Sequence, residues 1–439
     1  MARGQSIVKN IDWISILLFS TLAIMGWFNI YSASYNLDHP SMFDTSQEYG
    51  KQFIWIATSA VLGLVILLFD GDFIKRSAPI VFGVTTLLLV LVLIFGKEVN
   101  GAKAWFGFGS FGIQPSEFAK LGTALMLSFY LSQVNIKIEE TSTKIKAAAI
   151  IAVPALLILL QPDTGTVLVF TAFILVLYRE GLSGNILLLG LLAMVLSVLS
   201  LLLKATSIDF FGTEIGGQFV LMFVIAVISI LIFFFIRKFI LPRHRRRNYL
   251  LLVGTAVGSL LFIGTLDQVF ENVLEPHQKI RINILLGLEE DPQGAGYNVK
   301  QSKTAIGSGG FSGKGYLDGT LTKYKYVPMQ STDFIFCTIG EEWGFVGSSI
   351  VILIFLFLML RIVFISERQR SKFTRIYGYS VACILFLHLL INVGMTIGLA
   401  PVIGIPLPFF SYGGSSLWGF TILLFILLKL DTERLVVLR

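Results

Sequence analysis

The sequence predicts an all-α polytopic integral membrane protein with about twelve transmembrane helices, each needing roughly 20 apolar residues to cross a bilayer core of about 30 Å. Three observations lead there. The chain of 439 residues is 55% hydrophobic and only 14% charged, whereas soluble domains carry about 25% charged residues. Apolar runs of spanning length recur along its whole length. Those runs are continuous rather than alternating apolar and polar, which disfavours a closed β-barrel. The net charge of +7 then reads as basic loops on the cytoplasmic side of a membrane protein, not as a nucleic-acid footprint.

Each span follows from the same pattern. The first, 13–31, runs into IYSASYNLD rather than a small-residue cleavage site and reads as a retained helix. Five more come early, at 53–69, 78–95, 115–131, 147–160 and 164–178, and three follow at 185–203, 218–236 and 249–266. A long polar segment precedes the last three, at 345–365, 376–399 and 415–430. With Arg3 and Lys9 inside, the cytoplasmic loops carry Lys75 and Arg76, then Lys137, Lys144 and Lys146. They also carry the blocks RKFILPRHRRRN (237–248) and RIVFISERQRSKFTR (361–375), as the positive-inside rule requires of short loops. Both termini are then cytoplasmic. The outer connections are 36–52, 96–114, 161–163, 204–217, 267–344 and 400–414. Cys337 and Cys383 make no disulfide or metal pattern, and His39, His244, His277 and His388 show no ligand spacing.

Four polar islands interrupt the apolar pattern, all on the expected outer face. The first is NGAKAWFGFGSFGIQPSEFAK (100–120). Its glycines suggest a structured loop, and Pro115 suits a helix start. Glu117 and Lys120, three apart, share a helix face; a dipole-offsetting carboxylate with a snorkelling lysine is the alternative. The second, QPDTGT (161–166), places Asp163 and Thr164 to cap a helix, with Gly165 allowing close packing. The third, PVIGIPLPFFSYGGSS (401–416), has three prolines and three glycines and reads as a rigid, non-helical lead into the last span. It suits a substrate-groove wall or simple turn packing. The fourth is the 78-residue segment 267–344. Its IGSGGFSGKG superficially resembles a phosphate loop but lacks the G-x-x-x-x-G-K-[ST] spacing. Arg281, Lys300, Lys303 and Lys314 are cations suited to a lipid diphosphate, or else to a solvated basic loop. Asp333, in STDFIFCTIGEEWG, is an ionisable residue entering an apolar run, which marks it as a functional candidate. Burial and nearby cations can tune such a carboxylate as a base. An N-cap reading of S-T-D is equally open from spacing alone. Glu341 and Glu342 read as structural.

Taken together, these islands resemble the SEDS family (shape, elongation, division and sporulation), and its rod-elongation branch more than its division branch. The resemblance runs from first span to last. It rests on NGAKAW…QPSEFAK, QPDTGT, DPQGAGYNVKQSKTAIGSGG, STDFIFCTIGEEWG and PLPFFSYGGSS in that order. It implies a peptidoglycan glycosyltransferase of the cytoplasmic (inner) membrane. Its substrate would be lipid II, the undecaprenyl-diphosphate-linked disaccharide pentapeptide, polymerised into glycan strands on the outer face during elongation and cell-shape maintenance. It also implies a class B penicillin-binding protein transpeptidase as partner.

Residue by residue, the resemblance makes Asp333 the catalytic carboxylate, matches Trp105 to a functionally sensitive family tryptophan, and matches Glu117 and Lys120 to the Glu and Lys of the family's Q-P-S-E-x-A-K motif. Arg281 and Lys303 join these three as the expected substrate-binding set. No dedicated cofactor is expected beyond a divalent cation, Mg or Mn, for which Asp333 is the candidate ligand. Two departures matter: Ser331 stands where family members commonly have histidine, and the helix pair 218–266 is an insertion into the family's ten-span core. The segment 267–344 remains the large extracytoplasmic catalytic loop. Two other functions stay in view. A lipid II flippase would place ionisable sites near the bilayer midplane, and a scaffold for the transpeptidase would not need the polar islands.

Overall fold

The computed structural model describes residues 10–99, 101–108, 111–204, 207–210, 213–272, 276–288 and 294–434. Outside them lie Asn100, positions 291–293 of the fourth island's motif, and the chain ends that carry Arg3 and Lys9. The chain forms two compact units, residues 1–182 with 298–439, and residues 183–297.

In the first unit come α1 (Trp13–Ser34), α2 (Glu48–Leu68) and α3 (Gly71–Phe95). A small antiparallel sheet follows, β1 (Lys97–Val99), β2 (Ala102–Phe108) and β3 (Phe111–Ile113), in the order β1-β2-β3. Then come α4 (Pro115–Ser132), α5 (Thr141–Leu159), α6 (Thr164–Phe170) and α7 (Ala172–Arg179). The second unit holds α8 (Gly184–Lys204), the hairpin β4 (Ser207–Phe210) and β5 (Thr213–Gly216), α9 (Gly217–Phe239), α10 (Pro242–Asn272) and α11 (Pro276–Leu285). Leu196, Leu221 and Ile263 form its core. Helix α12 (Ala295–Gly309) leads back to the first unit, followed by α13 (Thr320–Lys323), α14 (Ile335–Glu367), α15 (Lys372–Thr396) and α16 (Gly414–Thr432).

Among the described residues, ten helices are long and apolar enough to cross a membrane. The remaining two expected spans are α4 and the short pair α6–α7, which meet at Thr171. The polytopic α-helical class is therefore the one observed. Helices α15 and α16 are the most enclosed, with 72% and 78% of their spanning stretches buried. Lipid tails are as apolar as leucine, so close packing rather than burial alone joins these helices, and small residues permit it. A Cβ on Gly26 would stand 2.6 Å from the Phe410 carbonyl oxygen, and one on Gly378 would stand 2.0 Å from Ser366 Oγ.

Several helices start earlier than the sequence reading, at Glu48, Gly71, Thr141 and Pro242, and one shift is larger. The span expected at 345 starts ten residues earlier, at Ile335, and contains a break at Gly344 (φ 62°, ψ −158°). The Gly-rich stretch 306–315 inserts into this break. Phe345 N and Val346 N would ordinarily donate to Glu341 O and Glu342 O four residues back. Instead they donate to Gly310 O (2.9 Å) and Phe311 O (3.1 Å). The two freed carbonyls accept from Lys314 N (3.1 Å) and Gly315 N (3.0 Å), so every exchanged group finds a partner. The approach needs glycine: Gly313 has φ +83°, and a Cβ there would stand 2.1 Å from Glu342 O. We expect Gly313→Ala to destabilise the protein by about 1–3 kcal/mol, read as a lowered unfolding temperature in detergent. An unchanged temperature would show that the break is not built this way.

Candidate active site at the junction of polar segments

The four islands meet at residues 401–416. The segment's prolines keep it out of helix, and it contacts each of the other three islands. From the first, Ser415 Oγ donates to Gly112 O (2.9 Å) at β3, and Gln114 N donates back to Ser415 Oγ (3.4 Å). From the second, Gly165 packs so closely that a Cβ would stand 2.9 Å from Ile403 O. Gln114 Nε2 also donates to Asp163 Oδ2 (3.1 Å), joining the first two islands directly. Asp163 caps α6, as expected, accepting from Thr166 N (3.0 Å).

The fourth island brings Asp333. Three successive main-chain carbonyls are clasped here: Ser331 O by Tyr412 N (2.9 Å), Thr332 O by Ser411 Oγ (2.6 Å) and Asp333 O by Asn392 Nδ2 (2.8 Å). The N-cap of α14 is Phe334, so Asp333 stands one residue outside the capping position. Its side chain is half-buried and faces Gly404, where a Cβ would stand 3.3 Å from Oδ2. Gly404 has φ +75°, a conformation glycine adopts without penalty. Ser302 Oγ donates to Thr396 O (2.9 Å), which pins α12 to the end of α15. Its neighbour Lys303 is exposed, and its chain passes Gly398, where a Cβ would stand 3.1 Å from Lys303 Cδ.

The other expected residues fall as follows. Trp105, on β2, lays its ring against Gly112, where a Cβ would stand 3.0 Å from Cε3. Arg281 lies on α11, in the other unit. Glu117 and Lys120 are enclosed, at 2% and 0% exposure. Lys120 Nζ lies 2.9 Å from Glu117 Oε2 and 2.9 Å from His388 Nε2, and 4.7 Å above the Phe420 ring. Their charges are spent on each other inside the bundle, not presented at a surface. Lys314 is not a solvated cation either: its Nζ donates to Glu341 Oε1 (2.7 Å). Glu341 also accepts from Leu321 N (2.9 Å) and Thr322 N (2.8 Å) at α13, and Ser32 Oγ donates to Glu342. Glu341 is thus held by donors from its own fold, and Glu342 by Ser32.

His388 and Asn392 are the residues that sequence reasoning passed over. They sit one turn apart on α15, and an ionisable group within a long apolar run was the available signal. Beyond the junction, a cavity of about 480 Å³ lies between α1 and α14, lined by Met25, Phe28, Tyr316, Ile339, Trp343 and Ile350 among others. Among the described residues, no three His, Cys, Asp or Glu side chains come together.

A family model of cell cycle proteins, comprising FtsW, RodA and SpoVE, matches residues 12–208 and 259–435. The chain belongs to the SEDS family. The stretch left between the two matched parts, 209–258, contains α9 and the start of α10. Among SEDS relatives, the peptidoglycan glycosyltransferase RodA of Treponema pallidum is 35% identical, covering 98% of this chain and 99% of that one. The peptidoglycan glycosyltransferase MrdB of Escherichia coli K12 is 33% identical over 81% of this chain and 79% of its own. A solved chain from a study of how a peptidoglycan synthase complex coordinates polymerization and crosslinking superposes with a TM-score of 0.69 at 25% identity, covering 97% of this chain and 99% of that chain. The rod shape determining protein RodA of Thermus thermophilus shares the fold, with a TM-score of 0.61 at 22% identity over 97% and 98% of the two chains.

Proposed function

We propose that this SEDS protein is a peptidoglycan glycosyltransferase that polymerises lipid II on the outer face of the cytoplasmic membrane during cell elongation, with Asp333 as its catalytic carboxylate. The observation that carries the reading is the clasp at Ser331, Thr332 and Asp333, which fixes one half-buried carboxylate where all four polar islands meet. The positive-inside pattern of the basic loops supports an outer position for that junction. The names of the Treponema and Escherichia relatives support the same activity.

Lipid II carries its own leaving group, a diphosphate on the anomeric carbon, so no strong general acid is required. The acceptor sugar hydroxyl does need a base. The Asp333 carboxylate takes that proton as the hydroxyl oxygen bonds to the anomeric carbon and the bond to the diphosphate oxygen breaks. Undecaprenyl diphosphate departs with the electron pair, and a single displacement inverts the anomeric centre through an oxocarbenium-like transition state. Lys303 would balance diphosphate charge, as a point charge; holding a divalent cation near the diphosphate is the alternative role for Asp333. The apolar cavity lined by Ile339 and Trp343, about two to three turns beyond the clasp, suits the polyprenyl tail. A class B penicillin-binding protein is the expected partner, supported by the synthase complex that holds the similar solved chain.

The purified protein, with and without the cognate transpeptidase, is expected to convert lipid II to a ladder of glycan polymer on a gel, releasing one undecaprenyl diphosphate per linkage. Movement of lipid II across vesicles with no diphosphate released would overturn the reading in favour of a flippase.

A further inference from the structure

We propose that His388 and Asn392 are positioning residues for the transfer, forming one helix face that clamps the Asp333 turn to the 401–416 segment, with Lys120 fixing the imidazole tautomer. The proposal rests on the glycosyltransferase reading above. Both side chains are buried, His388 at 2% and Asn392 at 0% exposure, and four residues apart they project from the same face of α15. Asn392 Nδ2 donates to Asp333 O (2.8 Å) and to Ile405 O (2.7 Å). Carbonyls only accept, so the amide nitrogen must be the atom that points there. His388 Nδ1 lies 3.2 Å from the next carbonyl, Pro406 O.

The direction of that last bond follows from Lys120. An ammonium has three donors and no acceptor, so His388 Nε2, at 2.9 Å, must accept. The imidazole proton is thereby confined to Nδ1, where it is donated to Pro406 O. Glu117 Oε2, 2.9 Å from the same ammonium, holds the lysine in place. A chain of donors thus runs Lys120 to His388 to Pro406, and one turn further Asn392 ties Ile405 to Asp333. Two neighbouring carbonyls of the wall facing the carboxylate are held from one helix. Ionisable groups inside a membrane protein are costly to keep, and this chain ends on the segment whose Gly404 faces the Asp333 carboxylate.

The test uses the full chain in detergent with lipid II. His388→Leu is expected to lower kcat by roughly 10- to 100-fold, as a displaced catalytic group does, while KM for lipid II stays within about 2-fold because the lost interaction is not one with substrate. His388→Gln, whose carboxamide offers both an acceptor and a donor, is expected to recover most of the rate. Hydrogen–deuterium exchange over residues 401–412 should rise in His388→Leu and return towards the wild-type level in His388→Gln. Asn392→Ala should show the same loss of kcat at native KM, which keeps the test open if His388→Leu fails to fold. Native kcat with native exchange in folded His388→Leu, or a raised KM at native kcat, overturns the clamp. Asp333→Asn measured alongside separates the two claims. If it retains the native rate, the reading of Asp333 fails, and the exchange data still decide the clamp.

Discussion

Polymerisation of lipid II by Asp333→Asn protein is expected to fall by roughly 10²- to 10⁴-fold, the contribution of a positioned general base. The substitution is informative because of how the turn is built. Tyr412 N, Ser411 Oγ and Asn392 Nδ2 all bond main-chain carbonyls of Ser331, Thr332 and Asp333. Exchanging carboxylate for amide leaves those three bonds and the side-chain volume in place. The loss should therefore appear in kcat, with the unfolding temperature and the affinity for lipid II close to wild type. A fall in rate accompanied by an equal fall in folded protein would instead mean that the carboxylate supports the structure.

The second large effect is on stability. Lys120→Met is expected to cost about 3–5 kcal/mol, the penalty for leaving a buried charge without its partner. Glu117 would keep a carboxylate at 2% exposure with its cation gone, and His388 would lose the donor that orders its tautomer. Glu117→Gln combined with Lys120→Met removes both charges and should recover much of that loss, since a buried pair is worth far less than either orphan costs. Thermal unfolding of the four proteins in one detergent gives the cycle. Additive losses would show that the two side chains act independently, contrary to their 2.9 Å contact.

The fold was legible from the sequence because apolar length and loop charge are local properties: each of the twelve expected spans is a helix or, at 164–178, a helix pair. The candidate site was legible in part. Asp333, Asp163 and the rigid 401–416 segment were marked by residue type against background. Their convergence was not, because Ser415 bonds Gly112 across roughly three hundred positions of chain and no local pattern encodes that. The start of α14 was missed for a physical reason. Glu341 and Glu342 looked like the end of a water-exposed loop, yet Lys314, Leu321 and Thr322 supply Glu341 with the donors that let it enter a buried helix. Lys314 was misread with it, since a lysine's partner 27 positions away is invisible in its own loop. His388 was set aside for lacking metal-ligand spacing, whereas its partners are a lysine on another helix and a proline carbonyl.

The most direct measurement is a single-turnover reaction of purified protein with saturating lipid II, following release of undecaprenyl diphosphate and formation of the first glycan linkage together. Wild-type protein is predicted to release one diphosphate for each inverted linkage, and folded Asp333→Asn protein to bind lipid II equally and release the diphosphate at least roughly 10²-fold more slowly. Release at the native rate by folded Asp333→Asn protein would contradict the assignment of Asp333 as the catalytic base.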